Sequence, residues 1–279
     1  MNRPLISIML VTYNSADTII ETLDSLDAQT YENLEIILCD DGSRDDTVKI
    51  AENWKASHGR FPMTILTKPM NEGTVRNYNK GIKACNAKLI KSIDGDDLLL
   101  PEAMEEFYKA YEQDPDAVYT CVPEYFGVDE DTIGKLVENY DSYRGFFNKS
   151  AAEQYQTFLT TNPIISSAVG IIHADTYKEV NYYDLRYILM EDYPFYVNVS
   201  KAGHPYRLID KPLARYRINP KSVTNSVNLV YEKDKLKHYL TEMVPALLKS
   251  GRKGDALNYG RYYLRKYREA KKIKKNNGK

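Results

Sequence analysis

The sequence predicts an α/β fold, a mostly parallel central sheet flanked by helices, with a C-terminal helical extension. Three observations predict it. Short β-branched runs alternate with segments of helical periodicity from Leu5 to Val122. Polar clusters stand where several of those runs end, as they do in open parallel sheets. Residues 229–275 hold only helical periodicity, with a strong basic bias.

Leu5 to Thr12, dense in Ile and Val, reads as a buried strand. Ile19, Ile20, Leu23 and Leu26 then recur at helical spacing behind Thr18-Ile19-Ile20-Glu21, which has the form of a capping box. Leu34 to Cys39 is a second strand, followed by a helix over 46–56, and Met63 to Thr67 is a third. A helix from Thr74 to Ala84 leads to a strand from Lys88 to Ile93, and Pro101 opens a helix to Gln113, since a first helical turn accepts proline. After a strand at Ala117 to Val122 the pattern loosens, so residues 124–165 read as a variable loop or lid. Order returns with a strand near Ala168 to His173, a helix from Glu191 to Lys201, and a short strand pair at Tyr206 to Ile209 and Leu213 to Arg217. Two helices close the chain, Leu229 to Leu248 and Gly254 to Lys275. The implied division is a main domain over 1–225 and a helical extension with a basic tail over 226–279.

Hydrophobic residues at 43% and charged residues at 28% suit a soluble globular chain and exclude wholesale disorder. Tyrosine, with 24 copies against one tryptophan, suits surfaces that contact sugars, bases or lipid headgroups, although half-buried core positions use it too. Cys39, Cys85 and Cys121 are odd in number and set in apolar segments, which argues against a disulfide framework or a zinc site and for a reducing, cytoplasmic compartment. No stretch approaches the ~20 apolar residues of a membrane span. The net charge of −1 hides an asymmetry: residues 252–279 carry 11 Lys/Arg against 2 Asp/Glu, leaving an acidic body.

Strand one ends in Thr12-Tyr13-Asn14, strand two in Asp40-Asp41-Gly42-Ser43 and strand four in Asp94-Gly95-Asp96-Asp97. Three aspartates in four residues at a strand end repel one another unless a cation neutralises them, and hard divalent ions favour carboxylates together with substrate phosphates. A Mg²⁺ or Mn²⁺ diphosphate site is the direct reading; a solvated Asp-Gly turn is the plain alternative.

With these clusters in this order the sequence resembles the family 2 glycosyltransferases. The resemblance runs through Ile6-Ser7-Ile8, Val11-Thr12-Tyr13-Asn14 and Asp40-Asp41-Gly42-Ser43-Arg44-Asp45, then Asn71-Glu72-Gly73, Asn79-Lys80-Gly81 and Asp94-Gly95-Asp96-Asp97. It ends with Glu191-Asp192 and Tyr216-Arg217, covering roughly residues 5–225. It implies a GT-A fold and an inverting transfer of a sugar from a nucleotide-diphosphate donor, UDP-hexose or UDP-N-acetylhexosamine by preference, to an acceptor hydroxyl. By that resemblance Thr12, Tyr13, Asn14, Asp40, Asp41, Asn71, Gly73, Asp94, Gly95, Asp96 and Arg217 form the donor site. Tyr13 would pack near the base and Asp41 would bond the base or ribose. Asp94 and Asp96 would be the DxD metal ligands for Mn²⁺ or Mg²⁺, Asp96 the closer, and Asp192 the base that deprotonates the acceptor. Read alone, Tyr13 is a strand-end aromatic of the core, Asp41 a helix N-cap or turn residue, and Glu191-Asp192 an acidic pair favourable at a helix start. In one departure, many relatives place an arginine immediately before the asparagine matching Asn79, where this chain has Tyr78.

Arg215 and Arg217 suit bidentate phosphate contact, and an exposed ion pair accounts for either equally well. His173 and His204 stand without partner patterns, so a structural role is expected. In the tail, Ala256, Tyr259, Tyr263, Tyr267 and Ala270 recur at helical spacing among Arg and Lys. The tail is open to two readings: a peripheral contact with the inner face of the plasma membrane, or a tyrosine stripe packed on the body with a solvated basic face. Nothing else supports nucleic acid. The family implies a saccharide or lipid-linked saccharide acceptor in cell-surface polysaccharide synthesis. A non-catalytic binding or regulatory protein of the same fold is disfavoured, because the DxD aspartates and the base are all present. A nucleotidyltransferase is disfavoured because Thr12 to Asp17 has no glycine and no basic residue.

Overall fold

A computed structural model describes residues 3–163, 170–219 and 228–277. Ala168 and Val169 of the expected strand, most of the Asn219 to Thr224 segment and the boundary at 225/226 lie outside the described residues.

The chain opens with β1 (Ile6–Thr12), α1 (Ile19–Asp27), β2 (Leu34–Asp40), α2 (Thr47–Ser57), β3 (Met63–Leu66), α3 (Thr74–Ala84) and β4 (Leu89–Asp94). These strands pair in parallel in the order β3-β2-β1-β4. Every residue of β1 and β2 is buried, which explains their near-continuous apolar runs: helices cover both faces. Register then aligns the polar ends, because Thr12 lies opposite Asp40 and Val11 opposite Asp94. Three clusters distant in sequence thereby meet at the carboxyl edge of one sheet.

The sheet continues with β5 (Leu98–Leu99), β6 (Val118–Phe126), β7 (Gly170–His173) and β8 (Tyr206–Arg217), giving the order β3-β2-β1-β4-β7-β6-β8-β5. It is mixed, since β7 runs against both β4 and β6, and β5 against β8, while β6 and β8 are parallel. The expected strand pair at 206–217 is a single strand. Its pairing with β6 shifts register around Val122, opposite Pro212, which has no N–H to give the ladder.

The described part of this segment, residues 124–163, is built of regular elements rather than being a loop. β6 continues to Phe126, then come α5 (Glu130–Asp141), a 3₁₀ turn at Arg144–Asn148 and α6 (Ala151–Phe158), after α4 (Ala103–Gln113) earlier in the chain. Asp129 caps α5 by accepting from Thr132 N at 2.9 Å, and Ser150 with Glu153 forms a reciprocal capping box on α6. Tyr140, Phe146, Phe147 and Phe158 anchor the segment in the core. The capping box expected at Thr18 is absent: Thr18 Oγ1 donates to Gly95 O at 2.6 Å, and Glu21 receives Arg217, so both side chains serve longer-range contacts.

Two apolar clusters flank the sheet. One packs α1, α2 and α4 against it through Leu23, Leu26, Trp54, Met104 and Phe107. The other is rich in tyrosine, with Tyr78, Tyr177, Tyr183, Tyr196 and Tyr206 buried against α3, α7 (Ala174–Glu179) and α8 (Asp192–Ala202). Much of the tyrosine enrichment is therefore core packing.

The closing helices are α9 (Leu229–His238), a π-helical turn at Tyr239–Met243, α10 (Val244–Lys249) and α11 (Lys253–Asn277). Tyr239 and Met243 join the tyrosine-rich cluster, and Tyr263 packs on Tyr239 with centroids 5.2 Å apart. The Tyr259 hydroxyl donates to Thr160 O. The tyrosine stripe of α11 thus faces the body, while Arg261, Arg265, Arg268, Lys271 and Lys272 are exposed beside Leu257 and Leu264.

Candidate active site

A cleft of about 400 Å³ opens at the carboxyl ends of β1, β2 and β4, lined among others by Thr12, Tyr13, Asn14, Asp41, Asn71, Asp94, Gly95, Asp96 and Arg217. Of the expected site residues, Asp40, Gly73 and Asp192 are not among those that line it.

Asp40 is 1% exposed, and its carboxylate is taken up by the turn that follows it. It accepts from Gly42 N at 3.0 Å, Ser43 N at 2.8 Å, Thr12 Oγ1 at 3.0 Å and the Ser43 hydroxyl. Its position differs from the donor contact expected of it: it shapes the turn from beneath. Asn14 stitches the first turn to the second, its N donating to Ser43 Oγ at 2.8 Å and its Oδ1 accepting from Arg44 N at 2.9 Å. Its φ of +52° is a left-handed conformation that asparagine tolerates better than most residues. Tyr13, held between them, is 45% exposed at the lip.

Asp41 lines the cleft and also organises its wall. Its Oδ1 accepts from Lys68 Nζ at 3.1 Å and Glu72 N at 3.0 Å, and its Oδ2 from Gly73 N at 2.9 Å. Gly73 also donates to Asn71 Oδ1 at 3.0 Å, so the Asn71–Gly73 turn is fastened to β2 at the start of α3. Lys68 was not singled out in the sequence, since a lone lysine after a strand carries no pattern.

The acidic turn after β4 divides its labour. Asp94 Oδ1 accepts from the Tyr78 hydroxyl at 2.7 Å, so the residue that departs from the expected pattern reaches the acidic turn directly. Burial, then the Asp94 charge, pushes the Asp96 carboxyl up to about 6, with Arg217 opposing. Asp97 turns away and accepts from Arg217 N at 2.8 Å, while Arg217 Nε donates to Asp96 O at 2.8 Å. The Arg217 guanidinium stacks on Phe126 at 4.3 Å and meets Glu21. Gly95 lets the turn pack closely on β1, since a Cβ there would lie 2.9 Å from Thr12 Cγ2 and 3.0 Å from Ser15 Oγ and would force those side chains to shift.

Among the described residues no three Asp, Glu, His or Cys side chains group to hold an ion unaided. Asp94 and Asp96 could supply only part of a donor set. That set fits a hard divalent ion shared with a diphosphate, since Mg²⁺-like ions commonly take one or two carboxylates and complete their shell with phosphate and water.

Glu191 and Asp192 stand at the N-terminus of α8, where Asp192 Oδ1 accepts from its neighbour Tyr193 N at 2.6 Å. Burial pushes the Asp192 carboxyl up to about 6, with Asp94 adding to the shift, and burial with the Asp192 charge holds Glu191 well above the usual range. The acidic pair therefore lies in the field of Asp94. As whole residues both have intermediate exposure.

Arg215 pairs with Glu124 at 2.7 Å, the exposed ion pair foreseen as one account of it. His173 caps α7 by accepting from Asp175 N at 3.2 Å, and His204 lies 2.9 Å from both Asp116 O and Glu179.

This fold is of the GT-A class. The glycosyl transferase family 2 model matches residues 7–172, more than half of the chain, and the chain belongs to that family as a glycosyltransferase of the GT-A fold. It is 26% identical over 220 residues to an Escherichia coli UDP-Glc:alpha-D-GlcNAc-diphosphoundecaprenol beta-1,3-glucosyltransferase, covering 79% of this chain and 80% of that one. Among solved structures it resembles Staphylococcus aureus TarS in complex with UDP-GlcNAc, with a TM-score of 0.65 at 17% identity. The match covers 86% of this chain and just under two thirds, 66%, of that chain. It also resembles a mannosyltransferase from Pyrobaculum calidifontis in complex with GDP-Man and Mn²⁺, with a TM-score of 0.67 at 15% identity, covering 96% of this chain and 74% of that one. Among the described residues no helix is long and apolar enough to cross a membrane.

Proposed function

We propose that this chain moves a hexose or N-acetylhexosamine from a UDP donor to a hydroxyl of a saccharide or lipid-linked saccharide, with inversion, in cell-surface polysaccharide synthesis. The observation that carries the reading is the convergence of Thr12–Asn14, Asp41, Asn71, the Asp94–Asp96 pair and Arg217 on one cleft, with the Asp192 carboxyl inside the field of Asp94. UDP as donor draws on the UDP-GlcNAc complex of the S. aureus neighbour and the UDP-Glc named for the E. coli relative; the lipid-linked acceptor draws on that relative's name.

Tyr13 and Asp41 would meet the nucleoside, and Asp94 with Asp96 would hold a Mn²⁺ or Mg²⁺ ion. That ion would neutralise the leaving diphosphate. Asp192 takes the acceptor proton: a carboxylate with its pKa near 6 is ionised at neutral pH yet more basic than an ordinary aspartate. Arg217 fixes the backbone of Asp96 and offers its guanidinium at the cleft wall. The exposed basic face of α11 would rest on an anionic membrane, bringing the cleft to a lipid-borne acceptor from the cytoplasmic side.

The test is to incubate the protein with UDP-glucose, UDP-GlcNAc and GDP-mannose, with Mn²⁺ and a panel of saccharide acceptors. UDP release with a product of inverted anomeric configuration by NMR supports the reading. A retained configuration, or release of GDP alone, overturns its mechanism or its donor respectively.

A further inference from the structure

The segment just before Asp192 is fastened to the first C-terminal helix at four consecutive residues. Lys237 Nζ donates to Arg186 O at 3.1 Å, and the Arg186 guanidinium meets Glu242 at 2.9 Å. The Tyr187 hydroxyl lies 3.0 Å from His238 Nδ1. Asp234 completes the set: one carboxylate oxygen, Oδ2, accepts from Ile188 N at 2.7 Å and Leu189 N at 2.8 Å. Asp234 is 4% exposed, so both amides would lose a buried acceptor without it.

We propose that Asp234, on α9, is a positioning residue that sets the 186–189 strap and thereby the place of Asp192 at the start of α8. This rests on the reading of Asp192 given above. Two further observations agree. The strap reaches the donor side of the cleft, because a Cβ on Gly73 would lie 3.7 Å from Ile188 O and 3.9 Å from Ile188 Cγ2. Asp234 is also among the charges that push Glu191 upward, after burial, Asp192 and Asp94, which puts it within electrostatic reach of the pair. The strap therefore runs beside Gly73 and leads on to Asp192 at the start of α8, and its backbone is held by a residue outside the segment that the family model covers. Of its side chains, Tyr187 is buried in the tyrosine-rich cluster, whereas Ile188 is 56% exposed and is held through its backbone amide.

Because both amides bond one oxygen, an amide side chain reproduces the geometry while removing the charge. The experiment compares Asp234→Ala with Asp234→Asn in the full chain by hydrogen exchange, UDP binding with Mn²⁺, and steady-state transfer. Asp234→Ala is expected to speed exchange of the Ile188 and Leu189 amides about tenfold or more while protection in β1 and β4 stays as in the wild type. It should lower kcat by about 10- to 100-fold, the scale of a misplaced catalytic group. The dissociation constant for UDP should stay within about threefold, and Asp234→Asn should recover most of the kcat and all of the protection.

Unchanged exchange at 188 and 189 in the alanine variant overturns the proposal. So does a loss of UDP affinity and of protection throughout the sheet in step with kcat, which would make Asp234 a general stabiliser. The exchange arm is read whether or not a donor sugar is known, so it decides the clamp separately from the transferase reading.

Discussion

Arg217 and Asp97 clasp each other across two strands: the Arg217 amide donates to Asp97 Oδ1 at 2.8 Å while its side chain returns to the carbonyl of Asp96 at 2.8 Å. The clasp fixes the acidic turn against β8. Asp97→Asn keeps an acceptor for the amide, so it should melt close to the wild type. Asp97→Ala leaves the amide unpaired and should lower stability by about 1–3 kcal/mol, measured by urea unfolding. Arg217→Ala should weaken UDP binding in Mn²⁺ by about 10- to 100-fold, the value of a charged hydrogen bond, and Arg217→Lys should rescue little because the fork that spans Asp96 O and Glu21 is gone.

Asp192 predicts opposite effects on activity and stability. As a base with its pKa pushed up to about 6, it should make kcat/KM fall roughly tenfold per pH unit below about 6 and level off above it. The folded state holds this proton more tightly than the unfolded chain does. Its contribution is therefore fully present below the ordinary aspartate pKa and is lost as pH rises through about 6. Asp192→Asn should abolish transfer, raise Tm at pH 8 relative to the wild type, and leave Tm at pH 4 little changed.

Gly42 should tolerate no side chain. Its φ is +76°, and a Cβ would lie 2.5 Å from the carbonyl carbon of Met70. Gly42→Ala must push the 70–73 turn away from β2, breaking the Asp41 bonds to Glu72 N and Gly73 N. Lower Tm together with weaker UDP binding is the expected pair of results, and an unaltered UDP affinity would show that the turn is not part of the donor site.

The basic face of α11 makes membrane contact measurable by sedimentation with vesicles. Binding should require phosphatidylglycerol, be absent on phosphatidylcholine alone, and fall as salt rises. Charge reversal at Arg268, Lys271 and Lys272, all exposed, should remove it without changing turnover on a soluble acceptor.

The parallel half of the sheet was legible in the sequence because strands buried on both faces write continuous apolar runs, as in Leu34 to Cys39. The segment 124–165 was not, because α5 buries only Tyr140 and the rest of its anchoring comes from single aromatics in irregular spacing. The Thr18 to Glu21 pattern misled because a capping sequence cannot reveal that Gly95 and Arg217, far along the chain, claim the same side chains. In the site, motif order found the aspartates of the cleft. It did not separate Asp40, consumed beneath the turn, from Asp41, which lines the cleft, and it gave no signal for Lys68 or Asp234, whose partners are backbone amides and a carboxylate brought near only by folding.

The most direct test of the central claim is isothermal titration of the chain with UDP, with and without Mn²⁺, repeated on Asp96→Ala. The account predicts binding that requires the metal and is lost in the variant, with GDP, dTDP and CDP weaker than UDP. Equal UDP affinity with and without Mn²⁺, or an undiminished affinity in Asp96→Ala, would contradict it.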